Sequence, residues 1–180
     1  MTAHARLWFA LPLALLAAKK DPVVPGPKAP PELAQLRFFE GQWTCEGKLA
    51  STPGGSTHPV TVKLTAKLQP DRFWLAVHAA EQRSKEHPLP HESNGFWGYD
   101  AAARQFLRMA VGSFGDWERA TAVGWAGDEL TWSGEINNLG AENIRFRHTV
   151  TKLGPREFED KTEVHAGQDW LPLASGNCRR

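Results

Sequence analysis

The chain has no excess of charge of either sign. Its 21 lysines and arginines face 20 aspartates and glutamates, for a formal net charge of +1 at pH 7. Setting aside residues 1–18, which hold Arg6 and no acid, leaves 20 of each. There is then no net field to gather nucleic acid or an anionic membrane, and nucleic acid is not an expected partner. Catalytic signatures are missing too: Gly-x-Ser-x-Gly, His-Glu-x-x-His, the P-loop and the dinucleotide fingerprint do not occur. There are two cysteines and no Cys-x-x-Cys. Neither a thioredoxin-like redox motif nor a zinc knuckle is available, and no metal site is expected. No apolar run reaches the roughly 20 residues that a membrane-spanning helix needs.

The longest apolar run, Leu7 to Ala18, follows a short basic start with His4 and Arg6. That pattern predicts a signal peptide over residues 1–18, hence export to the periplasm or beyond the cell, with no stable membrane insertion once it is removed. Leu16-Ala17-Ala18 is followed by Lys19 where a lipoprotein would carry Cys, which excludes lipid anchoring by that route. Five prolines and one glycine then crowd into Asp21 to Pro31. Such a stretch neither closes a helix nor pairs in a sheet, so residues 19–31 are expected to form a semi-rigid linker ahead of a domain over 32–180. In an exported chain, Cys45 and Cys178 suggest a disulfide. It would close a loop of roughly 130 residues, worth about 4–5 kcal/mol on the chain-entropy model. Two unrelated buried thiols are the alternative.

Leu33-Ala34-Gln35-Leu36-Arg37-Phe38-Phe39 carries apolar residues at helical spacing and predicts one or two helical turns. After Gly41 the period changes to two. Val60, Val62, Leu64, Ala66 and Leu68 alternate with Thr61, Lys63, Thr65 and Lys67, the pattern of a strand with one wet face. Phe73, Leu75, Val77 and Ala79 continue it, which puts Trp74 and His78 on the opposite face. Further runs are Phe96 to Tyr99, Gln105 to Val111, Trp117 to Trp125, Leu130 to Ile136, Ile144 to Val150 and Glu157 to Val164. Asp, Asn, Gly and Pro cluster between them in mechanistically sound turns. Nine or ten short strands with turns every 8–12 residues predict an all-β barrel or sandwich. An antiparallel barrel has the merit of exposing no sheet edge.

Gly41-Gln42-Trp43 after a short helix resembles the entrance of lipocalins and related calycins. There a Gly-x-Trp opens the first strand, and its Trp plugs one barrel end beneath a basic residue of the last strand. The resemblance implies that role for Trp43, with Arg179 or Arg180 as the cation. More of the chain is similar to the bacterial secreted proteins grouped as domain of unknown function fifteen-seventy-nine. The elements are Phe39 to Gly47, Trp97-Gly98-Tyr99-Asp100, Gly124 to Asp128, Leu130 to Gly134 and Cys178-Arg179. This implies an antiparallel calycin-like barrel of the lipocalin and fatty-acid-binding type, and carries over no catalytic residue.

Tryptophan is abundant, eight in all. Such rings either line a cavity or fill a core, where each indole N–H needs a partner. His148 shares parity with Ile144, Phe146 and Val150, while Arg145, Arg147, Thr149 and Thr151 take the other face. Resemblance to haem-binding nitrobindin barrels makes His148 a candidate axial ligand, although a hydrogen-bonded core histidine is the commoner role and no cofactor is otherwise expected; His165 is a weaker candidate. His87 and His91, separated by prolines, would lie about 13 Å apart when extended and are expected in a solvated loop. Glu157, Glu159, Lys161, Glu163 and His165 share a wet strand face, so these carboxylates are not a catalytic pair. Fold analogy then suggests a non-catalytic binder of a small apolar or aromatic molecule, with Trp74, Trp97, Trp132, Phe146 and His148 as candidate pocket residues. The competing readings are an envelope interaction or structural protein with a filled barrel, and an enzyme whose site is assembled from distant strands.

Overall fold

The computed structural model describes residues 26–137 and 143–180. The expected signal peptide, the first part of the linker and the turn at Asn138 to Gly140 lie outside these residues. A 3₁₀ helix spans Pro31–Phe39 and buries Leu33, Leu36 and Phe39. Its N-terminal proline suits a helix start, where the missing N–H has no partner to lose.

Ten strands follow: β1 Gly41–Ala50, β2 Thr57–Leu68, β3 Leu75–Glu81, β4 Glu92–Asp100, β5 Gln105–Gly112, β6 Trp117–Ala122, β7 Glu129–Asn137, β8 Ile144–Gly154, β9 Glu157–Ala166 and β10 Asp169–Arg179. Each pairs antiparallel with the next, and β1 pairs with β10 to close the barrel. All-β is therefore the fold class, and no described strand is left as an edge. The seam between β1 and β10 sets Cys45 opposite Cys178, and the two form a disulfide across 133 residues of chain. A bond that joins the first strand to the last cross-links the seam whose closure brings the two ends of the domain together.

Alternation decides which side chains face inward. Trp43 of β1, Leu75 and Val77 of β3, Phe106 and Arg108 of β5, and Trp132 of β7 are all buried. The helix lies across one end. There Trp43, fully buried, donates its indole N–H to the Phe39 carbonyl at 2.9 Å. Phe158 stacks edge-on against Trp43, ring centres 4.8 Å apart. The guanidinium of Arg180 sits 4.5 Å from the Trp43 ring and donates to the carbonyls of Glu40 and Pro155. The cation on the plug is thus Arg180 and not Arg179. One step earlier on the strand, Arg179 points outward and pairs with Glu157 at 2.7 Å. Gly41, at φ +116°, makes the turn from helix to strand that only glycine makes cheaply.

Candidate functional site

Above the plugged end the barrel is not full. A cavity of about 270 Å³ lies inside, walled by Val60, Val62, Leu64, Val77, Ala79, Trp97, Val150 and Phe158. Gly47, Gly95 and Gly176 also face it and contribute no side chain. At Gly47 the backbone of β10 comes so close that a Cβ would stand 2.1 Å from the Ser175 carbonyl oxygen. The disulfide borders the same space. At the far end, a second hollow of about 570 Å³ shares Leu49, Glu81, Ser93, Ala110 and Glu118 with the first, so the interior continues into the barrel mouth.

Four polar side chains converge on the cavity from four strands. Arg108 of β5 is buried, with its guanidinium carbon 5.3 Å from the ring centres of Trp132 and Phe146 and 5.8 Å from that of Trp97. Its Nε lies 3.0 Å from Oε1 of Glu118 on β6, and Nη2 donates to Oε2 of the same carboxylate at 3.3 Å. The Nε approach is a close ion pair but too bent for a good hydrogen bond, which leaves that N–H unsatisfied. Burial pulls the Arg108 pKa down from the usual guanidinium value, and the charge and hydrogen bond of Glu118, then the charge of Asp160, push it back. Nη1 reaches across the barrel to Nδ1 of His148 on β8, at 2.7 Å. A guanidinium has no acceptor, so in this contact Nδ1 accepts and the ring N–H lies on Nε2. That Nε2 faces Oδ2 of Asp160 on β9 at 3.7 Å. The other oxygen of Asp160 stands 3.8 Å from Sγ of Cys178, which in a disulfide has no proton to donate.

The five candidate pocket residues therefore fall in three places. Trp97 and His148 border the cavity. Trp132 and Phe146 are fully buried beneath Arg108 and do not border it; they form the aromatic bed of the cation. Trp74 is outside the interior. Its ring covers Gly98 on the outer face of β4, where a Cβ would stand 2.6 Å from the indole. The reason is parity: Trp74 is one residue out of step with Leu75 and Val77, which face inward.

As an axial haem ligand His148 does not fit this arrangement. One ring nitrogen accepts from Arg108, the other carries the proton, and the adjoining space of about 270 Å³ holds a guanidinium and two carboxylates. His165 lies on the outer face, within 2.9 Å of Arg145.

The mouth holds a second polar group that sequence reasoning placed in solvent. His87 is buried, not solvated. Its Nε2 lies 2.6 Å from Oε2 of Glu81 and its Nδ1 lies 3.1 Å from Nε2 of His58. His91 is tied to Asp116 at 3.0 Å, and its backbone N–H donates to Glu81. The segment between β3 and β4 is thus pinned over the mouth by both histidines. Among the described residues no group of three or more His, Cys, Asp or Glu is arranged to hold a metal ion.

Of these polar groups, Arg108, Glu118, Asp160 and Glu81 were missed. Asp160 was legible, since it shares parity with Phe158 and Val164 rather than with the wet carboxylates. Arg108 was not: Leu107, Met109 and Val111 are as apolar as Phe106 and Ala110, so alternation names no inner face on β5.

A family model for proteins of unknown function, DUF1579, matches residues 28–168. The chain belongs to that family. No match is found among the curated proteins. Among solved structures the chain is similar to Rv2717c from M. tuberculosis, at 14% identity and a TM-score of 0.66, over 85% of this chain and 99% of that one. At that identity the likeness shows the barrel fold. A redesigned beta barrel also aligns, at 14% identity over 81% of this chain and 94% of that one, but its TM-score of 0.42 carries no argument.

Proposed function

We propose that this DUF1579 protein is an exported, non-catalytic binder of one small, mainly apolar molecule held inside the barrel. The observation that carries the reading is the cavity itself, apolar on most of its wall, bordered by three glycines and sharing five lining residues with the mouth. Its size, about 270 Å³, falls just below the roughly 300 to 1,000 Å³ of most ligand pockets. A single aromatic or short branched molecule suits it better than a long acyl chain. The disulfide is compatible with an oxidising compartment and so supports export.

Catalysis has less support. The free nitrogen of His148, which would act as a base, is occupied by Arg108, and no hydroxyl or thiol is hydrogen-bonded to it among the described residues. An interaction protein is favoured by one observation: Phe96, Met109, Val111 and Trp117 lie exposed on adjacent outer positions of β4, β5 and β6. Concentration-dependent sedimentation of the purified domain tests that reading.

The cavity is tested by calorimetric titration with 2-phenylethanol, an uncharged aromatic probe, against the wild-type domain and Ala79→Phe. Ala79 borders the cavity, and a phenyl group there fills it. Saturable binding abolished in the folded variant supports the reading. Absence of binding to wild type, or binding indifferent to Ala79→Phe, overturns it.

A further inference from the structure

The charges facing the cavity do not cancel. Arg108 supplies one positive charge, and Glu118 and Asp160 supply two negative ones, while His148 turns an accepting nitrogen toward the guanidinium. Glu81 adds a third carboxylate near the mouth, beside His87. Lys48 borders the same space, but it sits on the outward parity of β1 with its side chain exposed. The interior therefore carries an excess of at least one negative charge even where a protonated His87 offsets Glu81.

Within that set the two carboxylates by Arg108 are unequal. Glu118 holds the guanidinium at 3.0 Å. Asp160 is three-quarters buried and feels the charge of Arg108, yet its nearest polar contacts are an imidazole nitrogen at 3.7 Å and a disulfide sulfur at 3.8 Å, with no hydrogen bond to the guanidinium among the described residues. Charged groups in such surroundings are costly unless paired and hydrogen-bonded. A carboxylate in a mostly apolar cavity with no donor at contact distance is an acceptor awaiting one. A metal ion is not the occupant this wall suits, because carbon atoms surround most of it and no third ligand joins the acids. An organic anion would have to approach Arg108 between two carboxylates.

We propose that the barrel selects a small primary amine carried on an aromatic or branched apolar body, its ammonium hydrogen-bonded to Asp160 and its body against Trp97, Val150 and Phe158. The proposal rests on the reading of the cavity as a ligand site, and refines it by charge. Replacement of hydration by a charge-assisted hydrogen bond is the source of the preference. Apolar burial contributes equally for any ligand with the same body.

The test is a matched series, 2-phenylethylamine, 2-phenylethanol and 3-phenylpropanoate, titrated calorimetrically at pH 7 into wild-type domain, Asp160→Asn and, as an outer-face control, Glu163→Gln. The expected order is amine, then alcohol, then carboxylate, with the amine at least about tenfold tighter than the carboxylate. Asp160→Asn is expected to weaken the amine about tenfold, leave the alcohol within about twofold and strengthen the carboxylate, while Glu163→Gln changes none of them. A carboxylate that binds as tightly as the amine overturns the proposal but leaves the cavity reading standing. So does an amine affinity indifferent to Asp160→Asn. Failure of all three probes overturns both.

Discussion

Arg108 and His148 meet inside the barrel although two strands, β6 and β7, lie between β5 and β8 in the ring. The guanidinium Nη1 donates to the imidazole Nδ1 at 2.7 Å. This contact spans the cavity floor, and it sets both the tautomer of the histidine and the direction of its remaining proton. The three aromatic rings around the guanidinium make the position possible, since each contributes attraction of about 0.5–2 kcal/mol to a partly desolvated cation.

Arg108→Met removes the cation and leaves Glu118 facing a largely apolar interior. The expected loss is about 3 kcal/mol, at the low end for a broken buried pair because Glu118 keeps some solvent contact. Combining it with Glu118→Gln is expected to restore most of that loss. Urea denaturation of the two single variants and the double variant checks both statements, and a double variant no more stable than Arg108→Met alone would sink the argument.

Reduction of Cys45–Cys178, or Cys45→Ala with Cys178→Ala, is expected to destabilise the domain by up to about 4–5 kcal/mol. The β1–β10 ladder remains to hold the seam, so the reduced protein should still show a barrel-like circular dichroism spectrum at low temperature. Thermal melts with and without reductant measure the difference.

At the plugged end, Trp43→Ala opens a hole where a whole indole was, and about 3–5 kcal/mol is the expected cost. Arg180→Ala removes one stacked cation and its two carbonyl bonds, with an expected loss nearer 1 kcal/mol. Arg179→Ala, on the outer face, should cost still less. Equal losses for the two arginines would contradict the assignment of Arg180 to the plug.

On the outer face Arg147 donates two bonds to Glu163, at 2.5 and 3.0 Å, and stacks on Trp170 at 4.8 Å. The Arg147 hydrogen bond holds the Glu163 carboxyl below its ordinary value of 4.5; burial opposes it more weakly, and the charges of Arg147 and Lys161 add to the lowering. A carboxylate with a depressed folded pKa stabilises fully above its unfolded value and stops doing so as pH falls through the folded one. The stability gap between wild type and Glu163→Gln should therefore be at most about 1 kcal/mol at pH 7, shrink with added salt and close below pH 4.5. Melting curves across that range check it; a gap that widens in acid has the wrong sign.

Much of the barrel was legible from alternation and turn chemistry, because a side-chain period of two with one wet face has few other readings. The last strand was the hard one. Pro172 and Gly176 weaken its pattern, and its register with β9 shifts between Pro172 and Ala174. Its pairing with both β9 and β1 makes it a strand of the barrel. Trp74 shows the opposite failing, for its outward parity was already visible against Leu75 and Val77, yet its size made it look like a pocket residue.

By itself the sequence determined the fold class and the inward set on strands with a clean alternation; it suggested the pairing of its two cysteines, and the Trp43 plug entered only as what the calycin resemblance implies. The first two follow from local periodicity, and the suggested disulfide from there being only one available partner for each cysteine. The tertiary structure alone decided that Arg108, Glu118, His148 and Asp160 share one space, that Arg180 rather than Arg179 covers Trp43, and that a cavity remains. Those depend on how ten tilted strands are staggered around a closed ring, and stagger is a property of the closure, not of any one strand.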